Sequence, residues 1–507
     1  MGLEIDRDRF GPADFRRFNT RLEDCLQVLE GLLARPDFGR GAASVGAELE
    51  VALVDASARP LPMNLEILEE TLDPRMTVEL DRFNLECNLR HGPLAGRPFS
   101  ALRSELEEAR RELGRAAALH GGRPVMIGIL PTVRAEDLGP KAMTDTPRYR
   151  ALALAIREAR RAPFHLDIDG EDPLVLDCEG VTFEGAATSL QIHLRVDPPS
   201  FASLFNAIQI ATAPALAAAA NSPTFLGHRL WAETRVALFK QAVDERDAQT
   251  KRNQRMPRVG FGTHWIREGA FELFREAVDV FPPLLPILDE EDPLACLEAK
   301  KIPRLREIRL HQGTVWSWNR PVYDPAEGGH LRIEIRALPS GPTITDMLAN
   351  TAFILGVAFG LQPGIEALTR RLDFEAAHRN FYRSAQNGLD AELIWPDGLS
   401  RISAPDDRIR AADLVRRLVP IARTGLRARG VDPEESDPLL EIIDERARTG
   451  RTGAAWQREA LRAIAPGPPT GDALTGMLER YITLSDRDQP VHLWPPGCRP
   501  GSREPLR

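Results

Sequence analysis

Four stretches of this chain alternate apolar and polar residues with period 2, and their polar positions carry ionisable or metal-binding side chains instead of ordinary surface residues. A strand sends successive side chains to opposite faces. In Ser44–Val54, residues Val45, Ala47, Leu49, Val51 and Leu53 share one face, leaving Glu48 and Glu50 on the other. In Thr188–Asp197, Leu190, Ile192, Leu194 and Val196 alternate with Gln191, His193 and Arg195. Leu331, Ile333 and Ile335 alternate with Arg332, Glu334 and Arg336, and Phe83, Leu85, Cys87 and Leu89 with Asn84, Glu86 and Asn88. One such strand alone reads most simply as half-buried with a solvated polar face. Four sharing the pattern predict a single carboxylate-rich surface once they pair.

At 507 residues the chain exceeds the usual size of one core, so a large domain with a smaller appended one is expected. The predicted division is a catalytic domain over 1–375, a helical region over 376–490 and a disordered Pro/Gly/Arg-rich tail over 491–507. A net charge of −9 argues against a general nucleic-acid binder. The five cysteines are far apart with no CxxC pair, which excludes a zinc-finger-like site and a disulfide framework and suits a reducing cytoplasm. Met1–Phe10 is charged, with no secretory h-region. The most apolar run, Ala207–Ala220, contains Gln209, Thr212 and Pro214 and reads as a buried helix too short for a bilayer, so no membrane partner is expected.

Helical spacing marks Asp14–Leu33, Ala101–Leu119, Pro147–Arg161 and Ile344–Leu361, and Val125–Leu130 and Leu174–Phe183 read as strands. Asn221-Ser222-Pro223 reads as a helix stop, and the charge-rich run Asp244–Arg258 as a loop or lid.

Carboxylates crowded together repel, which favours their neutral form unless cations compensate. Glu48, Glu50, Glu86 and Glu334 with the imidazole of His193 form a hard, oxygen-rich set suited to Mg2+ or Mn2+. Magnesium held by a few carboxylates bridges phosphates, so the composition points to ATP-dependent phosphoryl chemistry. No GxxxxGK[ST] loop is present, and Gly260-Phe261-Gly262 lacks the third glycine of GxGxxG. A nucleotide site here must be built on a sheet surface. The same residues leave open a metal-dependent hydrolase and a non-catalytic nucleotide or amino-acid binder.

Gly46-Ala47-Glu48-Leu49-Glu50, Glu79 through Glu86, Ser189-Leu190-Gln191-Ile192-His193, Ala220-Asn221-Ser222-Pro223 and Ile333-Glu334-Ile335-Arg336 occur in this order. In these motifs, from Val45 to about Gly364, the chain resembles the bacterial and plant branch of the glutamate-cysteine ligase family of carboxylate-amine ligases. The resemblance implies an α+β fold, a cup-shaped, mostly antiparallel sheet like that of glutamine synthetase with helices outside. It implies Glu48, Glu50, Glu86, His193 and Glu334 as metal ligands with Glu79 a further one, although Glu79 falls off the Glu86 alternation and needs a bulge or strand start near Asp81. The implied reaction passes the γ-phosphate of ATP to the γ-carboxylate of glutamate, and an amine, typically that of cysteine, attacks the acyl phosphate. Arg336 is the first choice for stabilising the developing charge, with Arg235 second, and Arg235, Arg320 and Gln191 are the substrate-binding candidates.

Overall fold

A computed structural model describes residues 5, 7–160, 162–246, 256–396 and 408–496. The four alternating stretches all become strands of one antiparallel sheet. Its main strands are β1 (Ser44–Asp55), β2 (Met76–Val78), β3 (Asn84–Asn88), β4 (Leu190–Val196), β5 (Asn319–Asp324) and β6 (His330–Ile335), in the order β5-β6-β4-β1-β3-β2. Two short segments, Gly92–Pro93 and Gly122–Val125, extend the pairing of β1 to complete eight strands. The sheet curls into an open half-barrel, as the expected cup requires.

The described helices that frame it are α1 (Pro12–Leu33), α2 (Pro98–Leu119), α3 (Phe201–Ala219), α4 (Thr234–Ala242), α5 (Ile344–Leu361), α6 (Phe374–Asn387), α7 (Ala411–Ala428), α8 (Pro433–Thr449), α9 (Gly453–Ile464) and α10 (Gly471–Ser485). Apolar positions of the sheet, Val45, Leu49, Leu85, Ile192 and Ile333 among them, join α1, α2, α3 and α5 in one continuous core. Period-2 apolar residues and period-3.6 apolar faces thus bury each other.

Counted with their flanking helical turns, as Pro198–Ala219 and Ile344–Thr369, α3 and α5 are long and apolar enough to cross a membrane by length and composition, and both are mostly buried inside the protein. The run expected to be too short is lengthened because the helix begins at Phe201, before the apolar stretch. Around α5, glycines set the spacing. A Cβ on Gly425 of α7 would lie 2.2 Å from the carbonyl oxygen of Gly356 on α5, so the two backbones touch where no side chain fits.

The same core cluster runs from Phe18 to Ala447 without a break at residue 375. Val491 and Trp494 are fully buried, so the tail does not begin at 491 as expected. Trp494 packs edge-on against Trp456 of α9 and Tyr481 of α10, and three large aromatic surfaces outweigh the Pro/Gly content that suggested disorder. Residues 497–507 of the expected tail, and 247–255 of the expected lid, lie outside the described residues.

Candidate active site

Register converts the alternation into three cross-strand rows. In the first, Arg320 pairs with Glu334 and Glu334 with His193, which faces Gly46 of β1. In the second, Gln191 pairs with Glu48 and Glu48 with Asn88. The third places Glu50 opposite Glu86, and Glu86 opposite Thr77. Five of the expected ligands therefore meet on one face because directly opposed residues on paired strands lie side by side.

This face is buried, not solvated as a lone amphipathic strand would have it. Glu48, Glu86, Gln191, His193 and Glu334 are all at most 8 % exposed. Glu79 joins them by a route other than a bulge. It follows β2, and the β2–β3 hairpin folds it back beside Glu86. Ligand atoms of Glu48, His193 and Glu334 lie within 4.8 Å of one another, as do those of Glu50, Glu79 and Glu86.

The two triads differ electrically. Burial disfavours the charged form of Glu334, but Arg320 and Arg336 outweigh it and hold this carboxyl well below the usual carboxylate range. Arg320 Nε donates to Glu334 Oε2 at 2.7 Å and Arg336 contacts Oε1. In the second triad burial prevails. It pushes Glu86 up to about 7, with the charge of Glu48 adding to the effect, and Glu79 is driven well up by burial and then by Glu86 and Glu50. Glu50 is raised by burial, moderated by Arg336 and by Ser189, whose backbone N donates to its Oε2 at 2.6 Å.

His193 supplies a test of whether a cation fits. Its Nε2 lies 3.1 Å from Glu48 Oε1, yet neither ring nitrogen makes a hydrogen bond. A buried imidazole without hydrogen bonds beside carboxylates, next to three crowded carboxyls whose charged form burial disfavours, matches the donor set of a hard divalent ion.

The arginines fall into place unequally. Arg336 bridges Glu334 and Gln191, and Gln191 Nε2 donates in turn to Glu50 Oε1 at 2.7 Å, so one chain of contacts links both triads. Arg235, 3 % exposed, is gripped by Glu233 at 2.7 Å and by the carbonyl of Ala337 at 2.6 Å. The Asn221-Ser222 break is more than a helix stop. Asn221 N and Ser222 Oγ donate to Glu233 at 2.8 and 2.6 Å, so the break positions the carboxylate that positions Arg235.

A narrow cleft of ≈ 30 Å3 is lined by Glu50, Glu79, Arg235 and Arg336 together with Glu184, Asn84, Phe239 and Trp318. Glu184 was missed in the sequence. It stands on a single helical turn, Thr182–Gly185, that replaces the expected end of the Leu174–Phe183 strand. Burial, and then the charge of Glu50, push it up to about 8. Its only sequence signal was Gly185, where a Cβ would lie 2.5 Å from the Asp81 carboxyl carbon.

These shifts make the metal-free protein sensitive to pH. The carboxyls of Glu86 and Glu184 titrate from 4.5 ordinarily to about 7 and about 8 in the fold, so their contribution is fully present below 4.5 and is lost as pH rises through 7 to 8. Thermal unfolding in EDTA is expected to show stability falling from pH 5 to 8, by about 1.4 kcal/mol per unit for each group. Saturating Mg2+ or Mn2+ should flatten the profile; a profile in EDTA that rises with pH would contradict the electrostatics.

A glutamate–cysteine ligase from Francisella tularensis, solved in complex with AMP, superposes with a TM-score of 0.53 at 12% identity, covering 88% of this chain and 90% of that one. A bifunctional glutathione synthetase from Pasteurella multocida aligns with a TM-score of 0.49 at 11% identity, over 93% of this chain and 55% of that one. At 12% identity the likeness to the Francisella protein is one of fold. Comparison with curated proteins yields no significant match. The chain belongs to glutamate-cysteine ligase family 2, whose model matches residues 44–482. The match reaches well past Gly364, where the recognisable motifs end, and takes in the C-terminal helices.

Proposed function

We propose that the protein joins the γ-carboxylate of glutamate to the amine of cysteine, using ATP and passing through an acyl phosphate. The observation that carries this reading is the pairing of two carboxylate triads on one buried sheet face, linked by Arg336 and Gln191, in a chain of this family. Glu48, His193 and Glu334 would hold one Mg2+ or Mn2+, and Glu50, Glu79 and Glu86 another. Bound there, the ions supply neutralisation of phosphate charge.

The residues of the chain do the positioning. Arg336, inside the site, places a fixed guanidinium where negative charge develops as a phosphoryl group moves. Arg235 is locked by Glu233 and Ala337, which spares the reaction the cost of ordering a long side chain. Arg320 spends its Nε on Glu334 and its Nη1 on the carbonyl of Gln312, so its part is to orient Glu334 more than to grip substrate. Gln191 fixes both Glu50 and Arg336 and keeps the two triads in register. Burial of the face excludes water, which would otherwise hydrolyse an acyl phosphate.

The test is ADP release by purified protein with glutamate, cysteine, ATP and Mg2+. Release dependent on both amino acids, with an equal yield of γ-glutamyl amide, is expected. Absence of ADP release with cysteine and with a panel of other amines would overturn the ligase reading, and metal-dependent hydrolysis without ATP would replace it.

A further inference from the structure

Three contacts from α9 and α10 converge on the break after α3. Ala454 N, at the start of α9, donates to the carbonyl of Ala220 at 2.8 Å. Gln457 Nε2, about one turn further along α9, donates to both the backbone carbonyl and the side-chain Oδ1 of Asn221, at 3.1 and 2.9 Å. From α10, the Tyr481 hydroxyl accepts from Asn221 Nδ2 at 2.9 Å and donates to the carbonyl of Met126 at 2.8 Å. The same Nδ2 donates to the carbonyl of Ser340 at 2.8 Å, so both polar atoms of the Asn221 amide are held. The fit is close: a Cβ on Gly453 would lie 2.1 Å from Asn221 Oδ1, and one on Gly341 would lie 2.8 Å from the Tyr481 hydroxyl oxygen.

Asn221 is where these contacts meet the cleft. Its backbone N–H holds one carboxylate oxygen of Glu233 while Ser222 Oγ and Arg235 Nε hold the other, so a shift of residue 221 moves the group that fixes the guanidinium. Asn221, Ser222, Glu233, Gln457 and Tyr481 are all 0 % exposed, so no bulk water replaces a lost partner. Gln457 has no other hydrogen-bonding task among the described residues. Its Oε1 is buried without a partner, a cost that an apolar side chain of the same length avoids, so what the amide does there is fix Asn221. We propose that Gln457 and Tyr481, 236 and 260 positions from Asn221 in sequence, are positioning residues for Arg235, acting through Asn221 and Glu233. The C-terminal helices thereby become part of the scaffold that turnover needs. That last step rests on the ligase reading; the placement of Arg235 does not.

Modification of arginines by phenylglyoxal in the full-length protein, read peptide by peptide by mass spectrometry, measures that placement without turnover. Gln457→Met keeps the bulk and removes the donors, whereas Tyr481→Phe keeps the ring against Trp456 and Trp494 and removes the hydroxyl. In each variant Arg235 should react about fivefold faster or more than in the unaltered protein, while Arg258, buried on Glu245 and Thr314 outside this set of contacts, stays within about twofold. ADP release should fall by about tenfold or more, the lower end of the cost of losing a group that orients another. An unchanged Arg235 rate in both variants would overturn the proposal. So would an equal rise at Arg235 and Arg258, the mark of a merely structural role, or undiminished ADP release from a variant whose Arg235 has become reactive. If the unaltered protein releases no ADP while the variants expose Arg235 alone, the positioning stands and the ligase reading falls.

Discussion

Exchanging Glu86 for Gln is expected to stop turnover while making the metal-free protein more stable. Glutamine keeps the shape and retains an oxygen for the hydrogen bonds that Glu86 accepts from Asn88 at 2.9 Å and Thr77 at 3.3 Å. It removes a charge that burial and Glu48 already hold up to about 7. At pH 8 in EDTA the gain should be on the order of 2 kcal/mol, since each unit of such a shift is worth about 1.4 kcal/mol. ADP release should fall by about 100-fold or more, because loss of a ligand exceeds the 10- to 100-fold cost of losing a group that merely orients one. The opposite signs are the point of the experiment. A variant that simply misfolds loses both quantities, and one that keeps full activity removes Glu86 from the metal assignment. Thermal unfolding with and without Mg2+, alongside the ADP assay, separates these outcomes, and the stabilisation by Mg2+ should shrink in the variant.

Removal of Arg446 should cost about 3–5 kcal/mol, the range for stripping one partner from a buried ion pair. Arg446 and Asp346 are 1 % and 0 % exposed, with Nη2 2.8 Å from Asp346 Oδ1. Nη1 reaches Asn350 at 2.6 Å and the carbonyl of Ala218 at 2.9 Å, while Asp346 also accepts from the backbone of Val491 at 3.1 Å. This one pair therefore ties α8 to the end of α3, the start of α5 and the segment that carries Trp494. Arg446→Ala leaves a carboxylate that burial already pushes upward with its main compensating charge gone. Urea unfolding should show the full loss, and the double variant Arg446→Met, Asp346→Asn should recover part of it, since no unpaired charge remains. A loss below about 1 kcal/mol in the single variant would mean that water or a rearranged partner reaches Asp346.

The alternating strands were legible because strand geometry needs only local information. Whether residue i and residue i+2 share a face follows from the pleat, so Glu48 with Glu50, and Gln191 with His193, could be grouped from sequence alone. Glu79 was harder. Seven positions from Glu86, it fits no single strand, and only the pairing of Thr77 with Glu86 across a hairpin brings it to the triad. Glu184 was invisible for a related reason. Its helical turn has no periodicity of its own, and it reaches the cleft because Gly185 lets the chain pass against Asp81. Residues 491–496 were misjudged from composition, which reports Pro and Gly but not the aromatic partners that Trp494 finds far away in sequence.

The sequence by itself determined which side chains each strand turns to one face, that this face is rich in carboxylates with one imidazole, and the family to which its ordered motifs belong. Tertiary structure decided the register that stacks Glu334 on His193 and Glu50 on Glu86, the split of the six candidate ligands into two triads, and the burial that sets their charges. It also decided that Arg320 and Arg336 hold Glu334 charged in one triad, while burial raises Glu50, Glu79 and Glu86 in the other. The division has a physical cause. Facing is fixed by bond geometry over two residues, whereas repulsion, desolvation and pairing depend on distances between groups up to 286 positions apart, Glu48 and Glu334 the extreme pair, and only the closed fold sets those distances.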